Sequence, residues 1–96
     1  MAHYIALIHK DLDSSYGVSF PDLPGVIAGG DSIDEAMAEA AEALVFAAED
    51  WSSFTGQQFP EPRTIDALRE DEDFREAAVD AIVAAVPFRA SVDAAA

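Results

Sequence analysis

Carboxylates are the chemistry most available to this chain. Asp and Glu total 19 against five Lys and Arg, for a net charge of −14 and a pI near 4.1. Convergent carboxylates hold divalent metals for hydrolysis, whereas dispersed ones make a surface that repels phosphate and attracts basic proteins. The segment Tyr4 to Lys10 carries no acid, and Asp11 stands only at its end. The remaining carboxylates fall on helix faces and loops without a convergent set, so no metal site and no catalytic residue is expected. A docking surface for a basic partner is the chemical reading left, and plain solubility competes with it.

Other reactive types resolve into structural roles. His3 and His9 share one face of a strand but lie ~20 Å apart at strand rise, too far for one metal. Ser32 stands three residues before Glu35, the spacing of a capping box, and no Gly-x-Ser-x-Gly element is present. Gly29-Gly30 precedes a helix start, but Asp31, Asp34 and Glu35 surround those amides with negative charge, which disfavours phosphate. Trp51 and Phe54 form an aromatic pair at a helix end; closing the core is the first reading and anchoring a partner the second. No cofactor is implied.

The elements that must position these residues centre on Tyr16 to Ala36. Tyr16, Val18 and Phe20 alternate with Gly17 and Ser19 as a half-buried strand does, and Pro21 ends the run. Leu23-Pro24-Gly25-Val26 has Pro and Gly where a type II turn needs them. Val26 to Ala28 is a short second apolar run, broken by Gly29-Gly30, and the Ser32–Glu35 box starts a helix at Ile33. That helix reaches about Trp51 with Ile33, Met37, Ala40, Leu44, Ala47 or Ala48, and Trp51 as its apolar stripe. Asp34, Glu35, Glu39, Glu42 and Glu49 occupy its other faces. Glu49-Asp50 at its end opposes the helix dipole, with no structural reason in the sequence.

Before this unit, Tyr4 to Lys10 is a strand apolar on both faces. It is thus a central strand covered by a helix on one side and partly by something else, such as a second subunit, on the other. Asp11 to Ser15 reads as a hairpin loop. After the helix, Ser52 to Arg63 contains Gly56, Pro60 and Pro62 and is expected to be irregular. Ile65 to Glu70 and Asp73 to Ala78 read as short helical turns around the acidic run Glu70 to Asp73, a solvated helix terminus. Ile82 to Val86, stopped by Pro87, is the fourth strand, with helical continuation from Arg75 as the competing reading. One right-handed crossover over the helix then places the fourth strand beside and parallel to the first. The expectation is an α+β domain, β-β-β-α-β, with a four-stranded mixed sheet in order 3-2-1-4.

The combination Tyr16-x-Val18-x-Phe20-Pro21-Asp22-Leu23-Pro24-Gly25, followed by Gly30-Asp31-Ser32 and Glu35-Ala36, resembles the N-terminal domain of the HicB family of antitoxins. The resemblance covers residues 3 to 51 well and the segment to Phe88 more loosely. It implies a partial ribonuclease H-like fold and a non-enzymatic role: binding and occluding HicA, a small basic toxin that cleaves messenger RNA. The expected contact surface comprises Asp22, Asp31, Glu35, Glu39 and Glu42, with Trp51 or Phe54 as apolar anchors. Residues 1–90 are expected to form this domain and 91–96 a tail, with no separate DNA-binding domain such as many relatives carry. The alternative is an orphan, self-associating HicB-like domain whose partner is not a nuclease.

Ninety-six residues support one core. The absence of cysteine, of a signal-like N-terminus and of an ~18-residue apolar run implies a cytoplasmic location. The two-faced first strand implies a dimer or higher assembly, and direct nucleic-acid binding is not expected.

Overall fold

The computed structural model describes residues 2–10 and 15–88. The loop expected at Asp11 to Ser14 and the tail at 91–96 lie outside the described residues. The elements run β1 (Ala2–Lys10), β2 (Tyr16–Ser19), β3 (Ile27–Gly30), α1 (Ile33–Thr55), α2 (Ile65–Arg69), α3 (Glu72–Ala77) and β4 (Ile82–Phe88). The four strands form one sheet in the order β3-β2-β1-β4.

Most local signals have their counterparts, but Gly29-Gly30, expected to break the strand, lie within β3, and β4 continues through Pro87, its expected stop, to Phe88. Val26 N–H donates to the Leu23 carbonyl at 3.1 Å, and Gly25 closes that turn at φ 91°, where a side chain would be strained. Ser32 caps α1 by accepting the Glu35 amide at 3.1 Å. Glu35 returns to the amide of Asp31 at 3.0 Å, one residue before the cap itself. The helix runs to Thr55, four residues past Trp51, because its stop signal is Gly56 in the left-handed conformation, φ 74°, with its N–H on the Ser52 carbonyl. The acidic run Glu70 to Asp73 spans the junction of the two short helices, with Glu70 the C-cap of α2. Asp71 is the N-cap of α3, accepting the Asp73 amide at 2.9 Å, and Glu72 and Asp73 fill its first turn.

The expected direction of β4 is overturned. β4 pairs with β1 antiparallel, Ala2 opposite Phe88 and Ile8 opposite Ile82, so the sheet is antiparallel throughout rather than mixed. The reason is that the chain crosses the sheet twice between β3 and β4. β3 ends at the Lys10 end of β1, since Gly30 stands opposite Tyr16 and Tyr16 opposite Lys10. From there α1 runs to the other end, where Trp51 meets Phe59 and Phe59 meets Tyr4. Residues 57–81 then return along the opposite face, and the carbonyl of Ala77 reaches His9. Two crossings restore the chain to the end from which β4 must run backwards.

Both faces of β1 are therefore covered by this same chain. Tyr4, Ala6 and Ile8 join Val18, Phe20, Leu23, Ala36, Ala40, Leu44 and Val86 in the larger core under α1. Leu7 packs on Leu68 and Phe74, flanked by Ile5 and Ile65, in a smaller core under α2 and α3. Where a second subunit was an expected cover for that face, α2 and α3 supply one. Burying a Leu or Val fully contributes about 1.5–3 kcal/mol each, and Leu7, Leu44, Leu68 and Val86 are at or near zero exposure.

Candidate functional site: an acid-rimmed apolar groove

α1 extends beyond the sheet it covers. Ala36, Ala40 and Leu44 face the core, but Ala43, Ala47, Asp50 and Phe54 recur at four, three and four residues on a neighbouring stripe, beside Phe46. This stripe faces the turn Pro24-Gly25-Val26 and Ile27 on the edge strand β3. Together they enclose an open groove of about 580 Å³. Its apolar walls are conspicuously unburied. Phe54 is 85% exposed, Ile27 74% and Phe46 60%.

The charge around this groove has one sign. Residues 16–62 contain no Lys or Arg, and their acids are Asp22, Asp31, Asp34, Glu35, Glu39, Glu42, Glu49, Asp50 and Glu61. Asp50 lines the groove. Glu39 and Glu42 are exposed one helical turn before Ala43 and Phe46, so they continue the same two rows along α1. Of the acidic pair Glu49-Asp50 that opposes the dipole, Asp50 thus belongs to this groove.

The residues expected to form a contact surface divide into three groups. Phe54 lines this groove, and Glu39 and Glu42 stand on α1 one turn before its lining residues Ala43 and Phe46. Asp31 and Glu35 are tied to each other at the start of α1, ~28 Å from Phe54 at helical rise. Asp22 is turned inward: its side chain is 7% exposed, and it accepts the Arg63 backbone N–H at 2.8 Å and Nε at 2.6 Å. Arg63 Nη1 also reaches Asp71 at 3.0 Å, so one guanidinium ties the β2–β3 turn to α3. These bonds raise the pKa of Arg63 and hold the Asp71 carboxyl below the usual range, with the Asp73 amide adding to the latter. Trp51 lies between two roles. It lines the groove, but its ring meets Phe59 edge-on at 5.5 Å and closes the core.

Phe46 and Ile27 were not singled out by sequence reasoning. The signal for Phe46 was a large aromatic off the predicted core stripe. Ile27 carried none, because its exposure depends on β3 being an edge strand. The serine, histidine and diglycine candidates take structural places: Ser32 caps α1, and His9 Nε2 lies 3.0 Å from the Ala77 carbonyl oxygen. Gly29 and Gly30 lie within β3, where a Cβ would meet the Tyr16 carbonyl oxygen at 2.9 Å and the Ala36 nitrogen at 2.6 Å, respectively. Among the described residues no three His, Asp or Glu gather in a way that could hold a metal ion, and no helix is long and apolar enough to cross a membrane.

Comparison with known proteins adds an independent observation. The model of the family described as HicB-like antitoxin of bacterial toxin-antitoxin systems matches residues 4–93. Among solved structures, the antitoxin HicB of Burkholderia pseudomallei is 30% identical with a TM-score of 0.69; the match covers 91% of this chain and 63% of that one. The N-terminal domain of the same antitoxin is 29% identical with a TM-score of 0.68, covering 88% of this chain and 95% of that one. A chain of a toxin-antitoxin complex from Streptococcus pneumoniae is 25% identical with a TM-score of 0.66, covering 96% and 71%. This chain therefore spans less than two thirds of the full Burkholderia antitoxin. No curated protein matches the sequence.

Proposed function

The chain belongs to the HicB-like antitoxin family of bacterial toxin-antitoxin systems, and from that premise we propose that it binds a small basic HicA-like mRNA interferase and neutralises it by occlusion. The observation that carries this reading is the groove between α1 and the β3 edge. Exposed Phe54, Phe46 and Ile27 offer apolar anchorage, Asp50 lines the groove with them, and Glu39 and Glu42 precede them on α1 in a stretch of chain with no cation.

A toxin that holds RNA must present basic residues to phosphate, and carboxylates placed over those residues compete for the same charges. Anchors of this kind determine how long a complex lasts, while the surrounding field speeds the encounter. The antitoxin contributes binding energy and coverage, and no step of chemistry. Its acidity disfavours nucleic acid as its own ligand, and the reading places it in the cytoplasm, where messenger RNA is cut. Residues 1–90 act as the toxin-binding domain.

The test is co-expression with the product of the adjacent reading frame, followed by calorimetric affinity and an RNA-cleavage assay. We expect Phe54→Asp to weaken binding by roughly 10- to 100-fold, as loss of an interface anchor does, and to restore cleavage. The triple change Glu39→Lys, Glu42→Lys, Asp50→Lys should weaken binding further and remove most of its salt dependence. Unchanged affinity in both variants would reject this surface. Recovery of no basic partner at all would instead favour the orphan domain.

A further inference from the structure

The groove has one wall that is rigid by itself and one that must be held. α1 is the first. The second, Pro24 to Ile27, leaves a double turn in which Leu23 N–H donates to the Phe20 carbonyl and Val26 N–H to the Leu23 carbonyl, each at 3.1 Å. Two neighbouring side chains anchor this turn, and they reach in different directions. Leu23 is fully buried in the core under α1. Asp22 leaves that core: its carboxylate accepts the Arg63 backbone N–H at 2.8 Å and Nε at 2.6 Å, across 41 residues of sequence. Arg63 Nη1 continues to Asp71 at 3.0 Å, and Asp71 caps α3, whose Phe74 packs with Leu7 on the face of the sheet away from α1. A leucine in a core fixes the depth of a turn but permits rotation about itself. A second fixed point at the adjacent residue removes that rotation.

We propose that Arg63 is a positioning residue for partner binding: through Asp22 it holds the Pro24–Ile27 wall in place, and through Asp71 it makes that wall depend on α3, on the opposite face of the sheet. The inference rests on the groove being the partner's surface. Asp22, Arg63 and Asp71 do not line the groove, so their effect on a partner passes through the turn. The pattern of bonds requires arginine. Its Nε and Nη1 serve two carboxylates at once, whereas the single ammonium of a lysine cannot reproduce that planar fork. A wall held before the partner arrives costs less to bind than one ordered on association, so loss of the clamp weakens affinity although no contact with the partner is removed. Asp22, expected as a contact residue, thereby takes a different part. It shapes the surface without belonging to it.

The experiment compares Arg63→Lys and Asp71→Asn with the wild type, first alone and then with the product of the adjacent reading frame. Asp71→Asn keeps the side-chain oxygen that caps α3 and removes the charge that holds Arg63. In the free chain, hydrogen exchange at the Leu23 and Val26 amides should quicken by about tenfold in both variants, while the amides of β1 keep their protection. Affinity for the partner should fall by about fivefold or more in both, the lower end of usual coupling between separate sites. Val86→Ala is the control for general loss of stability, since Val86 is fully buried on β4; it should lower the thermal midpoint and leave affinity unchanged. Wild-type exchange at Leu23 and Val26 in Arg63→Lys overturns the proposal without any partner. Faster exchange with unchanged affinity also overturns it, and if Phe54→Asp still weakens binding, the groove reading stands alone. A loss of affinity in Val86→Ala equal to that in Arg63→Lys reduces the effect to stability and overturns the positioning role. Unchanged affinity in Phe54→Asp as well as in both clamp variants overturns the groove reading and this inference together.

Discussion

Tyr4 shows how much one residue can join in a small domain. Its hydroxyl donates to the carbonyl of Pro60, and its ring lies 5.6 Å from Phe59 and 5.7 Å from Phe88, so it fastens the connection after α1 to β1 and to the edge strand β4. Burial raises the pKa of its phenol, with the negative charges of Asp22 and Glu61 acting in the same direction. The folded state thus favours the neutral phenol, and its contribution to stability is complete below the ordinary value of 10.0. Above that pH the unfolded chain releases the proton first, and the contribution is lost. An ultraviolet titration should show Tyr4 ionising above 10 in the folded protein, with the unfolding midpoint in urea falling as pH passes 10. A Tyr4→Phe variant should lose that part of the pH dependence. A Tyr4 that titrates below 10 would contradict the buried placement. The Asp71–Arg63 pair has the opposite sign: its lowered carboxyl supports the fold above the ordinary aspartate range and loses that support only as pH falls through it. Trp51 and Phe54, adjacent in sequence terms, part company at this scale. Trp51 packs on Phe59 and closes the core, whereas Phe54, three residues on, stands in solvent.

At the scale of elements, the junction of β3 with α1 is the tightest point of the fold. The first turn of the helix presses on the end of the strand, and the atoms a Gly30 Cβ would meet are mostly backbone, which cannot swing aside. Gly30→Ala is therefore expected to cost roughly 1–3 kcal/mol, the range of an overpacked core, and to lower the thermal midpoint accordingly. Gly17→Ala, where nothing lies within 4 Å, serves as the control and should cost much less. Equal midpoints for the two variants would mean that the helix does not approach the strand as closely as the structure has it. The same elements show where sequence was a sufficient guide. The Pro24-Gly25 turn, the Ser32 cap, the strand Tyr16–Ser19 and the two short helices are each fixed by residues within a few positions of one another. Such signals act locally, so they are legible without the fold. The end of α1 was less so: Gly56 was present as a stop, but nearby Pro60 and Pro62 gave the whole stretch the character of a loop.

The whole molecule is an acidic body. Like charges at this density oppose the compact state, and salt screens them over a Debye length of ~8 Å at physiological ionic strength. At concentrations too low for copies to associate, the thermal midpoint should rise by several degrees between ~10 mM and ~500 mM NaCl. That corresponds to about 1 kcal/mol for a domain of this size. A midpoint that falls, or does not move, would mean that the ion pairs of Arg63 outweigh the general repulsion.

The sequence by itself determined the element order, the strand order 3-2-1-4, the turn and caps, and the acidity that suggests a basic partner. The elements, the turn and the cap depend on residues near one another in the chain and the acidity on composition, whereas the expected place of β4 beside β1 rested on a single parallel crossover that the structure replaces with two crossings. The direction of β4 was decided by tertiary structure, because it depends on counting crossings. Ile65, Leu68 and Phe74 form a second apolar set, and Ile5 and Leu7 a face to receive it, but only their packing shows that the chain returns along that face before β4 begins. The candidate site followed the same division. Glu39, Glu42 and Phe54 could be named from types and spacing, whereas the inward turn of Asp22 to Arg63 and the exposure of Phe46 and Ile27 come from parts distant in sequence. A side chain's burial is set by what the fold brings to it, and that is information no local pattern contains.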